Sequence, residues 1–349
     1  MLARSILPAV AVLTLTFAPR TVARSADVIN AIGGLPAHLV YGLQEPVGFI
    51  ETSTGEFLVL DRRVHMVYAF DAKKTKRREV LKVGLEKDSV LQPAVLSLGP
   101  GDLFAVSDAQ WGLERIQYFN TSGLWIGGFF LKTKVAPRLV IDSIVVNGAG
   151  SMQFTKDGFL VNQPESGGLV TQFDLNGQVV RSFGTLRPTG HEHDRDLHLA
   201  FNVGMPLATP DGGVYFIFRT GRPLIRKYDA AGTLLFERHI EGPELDSLIQ
   251  SLPNVWPTRP ESEGRLPIVP PLVRTAAVDR VGRLWVSLVD PFTYVYDARS
   301  EKMRTVQFKG ARILEPSSLF FTAHDTVLVT PGCYEFPATL RPGAAASRP

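Results

Sequence analysis

The chain has 349 residues, with 37 Lys and Arg against 34 Asp and Glu, a formal net charge of +3. This balance excludes a broadly basic nucleic-acid-binding protein. The single Cys excludes an intramolecular disulfide framework and any zinc or iron–sulfur site built on several Cys. The 31 Gly and 25 Pro residues indicate a compact, turn-rich globular protein.

The first 25 residues have the features of a secretory signal. Arg4 precedes an apolar run over residues 6–17, and small residues that suit cleavage follow at Ala23 and Ser25. The run is shorter than the ~20 residues that a membrane-spanning helix needs. An uncleaved anchor or a buried first helix is the alternative. We expect residues 1–25 to be a signal peptide, and the protein to be periplasmic or secreted.

A repeated pattern of apolar strands and turns occupies most of the remaining chain. Each copy has a small or Pro-containing start, two apolar strands separated by a turn, and then an aromatic residue followed by Asp or Asn. Four clear copies span residues 44–71, 92–123, 150–177 and 204–232, and two weaker copies span residues 276–298 and 316–336. The markers after the aromatic residue are Asp71, Asn120, Asp174, Asp229 and Asp297, at intervals of 49, 54, 55 and 68 residues.

The length of the interval predicts the architecture. A strand and its turn take about 8–12 residues, so each copy contains about four short strands. We expect each marker to cap the hairpin between the third and fourth strands, and each preceding aromatic residue to pack between sheets. Helical periodicity is confined to residues 244–252. Four-stranded units at this period are the signature of a β-propeller, an all-β fold.

The pattern over roughly residues 40–336 resembles the six-bladed propellers of the NHL-repeat-like and gluconolactonase-like (TolB-like) type. The resemblance implies a ring of six four-stranded blades. Because the last copy is incomplete, we expect an N-terminal strand to close the ring and remove the open sheet edges. The apolar segment Leu39-Val40-Tyr41 is the expected donor of that strand.

The domain boundaries follow from this repeat. We assign residues 26–337 to the propeller and residues 241–271 to an insertion between blades 4 and 5. Residues 338–349, rich in Ala, Arg and Pro, are expected to form a disordered tail.

Ligands of such rings usually bind on one face, which we call the loop-rich face. The loops between second and third strands, and those between consecutive blades, converge there. Six candidate ligand- or partner-binding residues lie in the second-to-third strand turns, and the arginines among them favour an anionic ligand or an acidic partner surface. They are Arg62, Arg63, Asp108, Trp111, Arg219 and Arg222. Solvated turn residues are the alternative interpretation.

A histidine-rich segment lies between blades 3 and 4 on the same face. It contains His191, His193 and His198, among several acidic residues. Imidazole and carboxylate ligands together suit zinc, nickel or iron, so a divalent metal is a candidate cofactor. The alternative is a solvated polar loop whose charges pair among themselves.

The insertion over residues 241–271 carries Trp256 among several apolar residues and prolines. Apolar residues on so long a loop need to be buried. Three interpretations stay open: a lid over the channel, a docking arm for a partner, and packing onto the propeller itself.

A basic run occupies the last hairpin of blade 1, on the opposite face. Its cations are Lys73, Lys74, Lys76, Arg77 and Arg78. In an exported protein this run does not indicate nucleic-acid binding. A peripheral contact with an anionic membrane surface and a solvated hairpin tip are the two interpretations.

These features favour a binding or scaffold protein over an enzyme. We expect a partner protein or a small ligand on the loop-rich face, and the protein fits an accessory subunit of a larger envelope complex. The alternative is a metal-dependent hydrolase or lyase that uses the three histidines. Of the lactonase motifs that the resemblance implies, only Glu45-Pro46 approximates one. The lone Cys333 is expected to be a small buried residue.

Overall fold

The computed structural model describes residues 26–110, 113–131, 139–141, 144–146, 151–261 and 264–339. Within them the chain forms six blades arranged as a propeller: five are sheets of four antiparallel strands, and the remaining blade is an antiparallel four-stranded sheet with one further strand paired parallel at its edge. The predicted all-β fold with six four-stranded blades is confirmed. The predicted signal peptide, residues 1–25, lies outside the described residues.

The first half of the chain contains the N-terminal elements and blades 1 and 2. The N-terminal elements are β1 (Asp27–Asn30), β2 (Gly33–Gly34) and the one-turn helix α1 (Ala37–Val40). Blade 1 contains β3 (Pro46–Glu51), β4 (Phe57–Asp61), β5 (Met66–Phe70) and β6 (Arg77–Glu79). The link to blade 2 contains the parallel pair β7 (Lys82–Val83) and β8 (Ser89–Val90). Blade 2 contains β9 (Val95–Leu98), β10 (Phe104–Gln110), β11 (Leu113–Phe119) and β12 (Trp125–Phe130).

Blades 3 and 4 follow a short hairpin. The hairpin consists of β13 (Leu139–Ile141) and β14 (Ile144–Val146). Blade 3 contains β15 (Met152–Thr155), β16 (Gly158–Asn162), β17 (Gly168–Phe173) and β18 (Val179–Thr185). The helix α2 (Arg195–Ala200) precedes blade 4. Blade 4 contains β19 (Gly204–Ala208), β20 (Val214–Phe218), β21 (Leu224–Tyr228) and β22 (Leu234–His239).

The last third of the chain contains the insertion and blades 5 and 6. The insertion contains α3 (Pro243–Gln250), β23 (Thr258–Glu261) and β24 (Gly264–Pro267). Blade 5 contains β25 (Val273–Val278), β26 (Leu284–Leu288), β27 (Thr293–Tyr296) and β28 (Lys302–Lys309). Blade 6 contains β29 (Ser318–Phe321), β30 (Thr326–Thr330) and β31 (Tyr334–Pro337). Short 3₁₀ turns lie at Pro100–Asp102 and Pro164–Ser166.

The innermost strands of the six blades form a closed ring. β3 contacts β9, and the contacts continue through β15, β19, β25 and β29 back to β3. A buried apolar cluster fills each of the six interfaces between neighbouring sheets. The aromatic residues before the five markers all belong to these clusters, as predicted: Phe70, Phe119, Phe173, Tyr228 and Tyr296. The core of the propeller therefore lies between the blades.

The Asp and Asn markers cap the hairpins between third and fourth strands, as predicted. One carboxylate oxygen of Asp229 accepts the N–H groups of Ala231 at 2.9 Å and Thr233 at 2.8 Å. Asp174 and Asp297 each accept two N–H groups at the same positions of their turns. The two remaining markers also accept N–H groups of their own turns. The markers thus recur in the sequence because each blade needs an acceptor for the N–H groups of this turn.

Two N-terminal strands join the sheets of the last two blades. β2 pairs antiparallel with β31 as the fourth strand of blade 6, and β1 pairs parallel with β28 on the outside of blade 5. Gly34 has φ +144°, and a Cβ at this position would lie 2.5 Å from the carbonyl oxygen of Cys333. Only glycine permits so close an approach of the two strands.

The expected donor of a closing strand, residues 39–41, is wrong. Leu39 and Val40 lie in α1, and Tyr41 is the C-cap of that helix. Pro36, with φ −56°, precedes the helix, a position at which its fixed φ and missing N–H are tolerated. Leu39 and Val40 instead pack against the cluster between blades 6 and 1.

Three further sequence predictions, on a helix, on Cys333 and on the C-terminal tail, can be compared with the structure. α3 occupies residues 243–250, where helical periodicity predicts a helix over residues 244–252. Cys333 is buried, as predicted, and burial raises the pKa of its thiol. Ala338, the first residue of the predicted tail, is buried and donates its N–H to the carbonyl of Asp325 at 2.9 Å. Residues 340–349 lie outside the described residues.

We expect Asp229→Ala to lower the free energy of unfolding by about 1 kcal/mol, because two backbone N–H groups of the turn lose their acceptor. Asp157→Ala is the matched control, since this exposed Asp also lies in a turn between two strands and its carboxylate accepts no hydrogen bond from the described residues. Urea denaturation of both variants measures the difference. Equal losses in the two variants would contradict the capping role.

Candidate functional site at the channel mouth

A central channel runs between the six innermost strands. It encloses a cavity of about 960 Å³, and residues of all six strands line it. Arg62, Arg219 and Arg274 belong to this lining, at the end of the channel on the loop-rich face. We call this end, defined by these three arginines, the channel mouth. Two glutamates, Glu45 and Glu315, also belong to its lining.

The strand register brings the three arginines to one level. Arg62 and Arg219 each directly follow the second strand of their blade, and these strands end opposite the first residues of β3 and β19. Arg274 is the second residue of β25, the innermost strand of blade 5. Because the innermost strands of all blades begin on the same face, side chains from blades 1, 4 and 5 converge at the axis.

Arg219 is the most buried of the three arginines. It is only 5% exposed, and its Nε and Nη2 donate to the carbonyls of Val273 at 3.2 Å and Arg274 at 2.9 Å. Among the described residues, no carboxylate forms an ion pair with it. Burial, reinforced by the charges of Arg274 and Arg62, lowers the pKa of the Arg219 guanidinium to about 10. Arg219 is therefore a buried cation at neutral pH, compensated by backbone carbonyls.

The other two arginines pair with the glutamates of the mouth. Arg62 Nη2 donates to Glu45 Oε1, and Arg274 Nη2 donates to Glu315 Oε2 at 3.1 Å and to the carbonyl of Val289 at 3.2 Å. Arg62 Nε is buried and has no hydrogen-bond partner among the described residues. Two of the three guanidinium groups thus have a carboxylate partner at the mouth, and the described partners of the third, Arg219, are backbone carbonyls.

The structure brings together two of the six residues predicted in the second-to-third strand turns. Arg62 and Arg219 line the channel. Arg63 and Arg222 are exposed and do not belong to the lining. Trp111 lies outside the described residues.

Asp108, also predicted as a ligand-binding residue, forms a buried ion pair. It is 2% exposed, and its two oxygens accept Arg115 Nε at 2.8 Å and Nη2 at 2.9 Å. Asp108 Oδ2 also accepts the N–H of Leu91 at 2.9 Å. Arg115 also donates from Nη1 to the carbonyl of Glu86 at 3.1 Å and from Nη2 to the carbonyl of Ser89 at 2.6 Å. The pair therefore fastens the link between blades 1 and 2 to β10 and β11.

The three histidines lie around α2 and do not line the channel. His198 Nδ1 is 2.8 Å from Thr189 Oγ1. His191 stacks on Phe201 with ring centroids 5.6 Å apart, and lies 6.4 Å from the His193 ring. In the part of the chain that the structure describes, no group of three or more His, Cys, Asp or Glu is arranged to hold a metal ion. Divalent-metal binding by His191, His193 and His198 stays a prediction.

The insertion packs on the propeller itself, one of its three predicted interpretations. α3 buries Leu245 in the cluster between blades 4 and 5. Trp256 meets Phe201 edge-on, with centroids 5.0 Å apart and an interplanar angle of 80°. Together with Val269 and residues of α2, these two aromatic rings form a cluster of their own. The insertion and the histidine segment therefore form one packed unit, and Trp256 is not part of the channel lining.

The basic run of blade 1 lies in the hairpin between β5 and β6. Three of its cations contact a carboxylate, an aromatic ring and a backbone carbonyl of the propeller: Lys74, Arg77 and Arg78. Lys73 and Lys76 are exposed. Contact with an anionic membrane surface stays a prediction. None of the helices in the described ranges is long and apolar enough to cross a membrane.

Sequence reasoning did not assign Arg274, Arg312 or Glu315 to the ligand site. All three belong to the channel lining. Arg312 is exposed and lies three residues before Glu315 in the sequence. The available signal was an Arg within the apolar stretch of residues 272–278. A charged residue in an innermost strand has only the channel or a neighbouring blade to face.

We expect Asp108→Ala to lower the free energy of unfolding by about 3–5 kcal/mol, because it leaves the Arg115 guanidinium buried without its carboxylate. Asp88→Ala, which breaks the exposed pair of Asp88 with Lys82, is the matched control and is expected to change the stability far less, because water and salt screen that pair. Denaturant titration measures both variants. Unchanged stability of Asp108→Ala would contradict the structural role of this pair.

Comparisons with known proteins confirm the propeller and go no further. No known protein family and no curated protein matches the chain. Among solved structures, a streptogramin B lyase matches with a TM-score of 0.51 at 11% identity, over 82% of this chain and 76% of that chain. A virginiamycin B lyase from Staphylococcus aureus matches with a TM-score of 0.49 at 10% identity, over 85% of each chain. Hydrazine synthase from Kuenenia stuttgartiensis matches with a TM-score of 0.48 at 14% identity, over 82% of this chain and 93% of that chain. At 11% identity, the likeness to the streptogramin B lyase shows the fold alone.

Proposed function

We propose that this chain is an exported binding propeller that holds the anionic group of a small ligand at the channel mouth. The observation that supports this function is Arg219, a guanidinium in the lining of the cavity with no carboxylate partner among the described residues. A buried charge is costly unless an opposite charge or several hydrogen bonds compensate it. An anion from a ligand supplies the missing compensation.

The geometry of the mouth suits such a ligand. A guanidinium is planar and matches carboxylate, sulfate or phosphate oxygens with two parallel N–H groups. Arg62 Nε adds a buried donor without a partner in the described residues. The cavity of about 960 Å³ lies within the range of about 300–1,000 Å³ that small-molecule sites occupy.

Two further functions stay predictions of the sequence. One is a scaffold role in a larger envelope complex, and the other is a metal-dependent hydrolase or lyase centred on the three histidines. We favour small-ligand binding over both, because the mouth is concave and Arg219 there has no carboxylate partner among the described residues.

We expect sulfate to bind the full chain at the mouth, so that it raises the melting temperature of the unaltered protein more than that of Arg219→Met at equal ionic strength. Arg219→Met and Arg62→Met are expected to weaken sulfate binding about tenfold or more, because a hydrogen bond to a charged group is worth about 1.5–3 kcal/mol. Arg222→Met, which removes an exposed Arg three residues from Arg219, is the matched control and leaves binding unchanged. Calorimetric titration measures the affinities.

The pH dependence gives a second readout of the same site. Sulfate keeps its charge across the alkaline range, and Arg219 has a pKa of about 10. Only the protonated guanidinium attracts the anion, so binding weakens as the pH rises through about 10. Sulfate binding that is equal in Arg219→Met and the unaltered protein would overturn the proposed function.

A further inference from the structure

The innermost strand of blade 3 adds a second polar group to the channel mouth. Ser151 directly precedes β15 and belongs to the lining of the cavity. It is 3% exposed, and its hydroxyl oxygen is buried without a hydrogen-bond partner in the described part of the chain. A buried hydroxyl without a partner is costly, because it has lost its hydrogen bonds to water. A ligand at the mouth can supply the missing partner.

Ser151 and Gln153 lie on the same face of this strand. The side chains between and after them, Met152 and Phe154, pack into the cluster between blades 2 and 3. Because successive side chains of a strand point to opposite faces, Ser151 and Gln153 point away from that cluster. Gln153 also belongs to the channel lining. At a rise of about 3.3 Å per residue, the two residues lie about 7 Å apart along the channel.

Both residues offer hydrogen-bond donors to a ligand. The Ser151 hydroxyl can donate, and Gln153 has two N–H groups on Nε2. Gln153 Oε1 accepts the N–H of Ala208, whereas Nε2 donates to no residue that the structure describes. The wall of blade 3 therefore presents two donors in line, one at the mouth and one deeper in the channel.

The surroundings of Ser151 suit binding rather than a reaction. Activation of a serine hydroxyl as a nucleophile requires an adjacent base. The described lining contains no His, and each of its carboxylates pairs with an arginine: Glu45, Asp279 and Glu315. The hydroxyl is therefore available as a hydrogen-bonding group.

We infer that Ser151 and Gln153 bind the ligand, and that the ligand is an acid with neutral carbonyl oxygens along its length. This inference rests on the proposed function and adds the chemical class of the ligand. The anionic group of the ligand lies at Arg219, and two of its carbonyl oxygens accept hydrogen bonds from Ser151 Oγ and Gln153 Nε2.

The spacing of the two donors favours this class of ligand. In an extended chain of amide units, carbonyls on the same side recur at every second unit, about 7 Å apart. This repeat equals the separation of Ser151 and Gln153 along the strand. An inorganic anion would satisfy Arg219 and leave both donors without a ligand partner. A site with such donors discriminates against ligands that lack the matching acceptors, because the donors then stay unpaired.

The test is a calorimetric titration of the full chain with acetate, N-acetylglycine and N-acetyltriglycine. We expect N-acetyltriglycine to bind about tenfold or more tightly than acetate, because it adds two same-sided carbonyls for the two donors. N-Acetyltriglycine amide has the same carbonyls without the charge, and is expected to bind about tenfold or more weakly than the acid. Arg219→Met removes that difference.

Ser151→Ala removes the hydroxyl and little else. We expect it to weaken N-acetyltriglycine about fivefold to tenfold, while acetate and sulfate bind as before. Because that hydroxyl has no partner among the described residues, its removal is expected to leave the free energy of unfolding unchanged or higher. Ser300→Ala, which removes a buried serine hydroxyl outside the channel lining, is the matched control. Gln153→Met is expected to weaken N-acetyltriglycine to a similar extent.

The outcomes separate the inference from the proposed function. Sulfate and acetate binding that depends on Arg219, with no gain from acetate to N-acetyltriglycine, overturns the inference and leaves the anion site. A gain that Ser151→Ala does not reduce also overturns it, because the carbonyls then bind elsewhere. Absence of binding by every anion overturns both.

Discussion

The guanidinium of Arg219 is a positive charge removed from water, and the fold keeps it there. Its Nε and Nη2 donate to carbonyls of blade 5, so the side chain fastens two blades together where their innermost strands begin. Backbone carbonyls compensate a cation less well than a carboxylate does, and Arg62 and Arg274 add positive charge nearby. The same buried cation therefore contributes to the contact between blades and, in the proposed function, binds the anion.

The rest of the ring makes this arrangement possible. Six apolar clusters bury both faces of every blade, so the innermost strands are held at fixed positions around the axis. Polar groups at the loop-rich ends of the blades then take one of two roles. Some, such as Asp108, hold the links between blades in place, and their hydrogen-bonding atoms are paired within the protein. Others, such as Arg62 and Arg219, reach the axis.

The blades could be predicted from the sequence because each repeat performs a local task. An Asp or Asn that caps a turn, and an aromatic residue that fills an interface, leave marks at a fixed spacing. The pairing of β2 with blade 6 could not be predicted in the same way, since it depends on the approach of Gly34 to Cys333, almost the whole chain away. The segment that was expected to pair, residues 39–41, has the apolar character of a strand and is helical because tertiary packing prevails over local propensity.

The site was predictable only in part, for a related reason. Arg62, Arg63 and Asp108 occupy similar turns in the sequence, yet one lines the channel, one is exposed and one pairs with Arg115. The direction of each side chain depends on the twist of its blade and on partners distant in sequence. Arg274 shows the converse case, because it lies inside a strand and reaches the mouth through the ring rather than through a turn.

Anomalous diffraction from crystals grown or soaked with selenate tests the account most directly. Selenate has the shape and charge of sulfate, and its selenium identifies the bound anion without ambiguity. The account predicts a selenium peak at the channel mouth, within hydrogen-bonding reach of Arg219 and next to Arg62, which Arg219→Met abolishes and Arg222→Met retains. Selenate bound elsewhere with an empty mouth, or a carboxylate of the protein paired with Arg219, would contradict it.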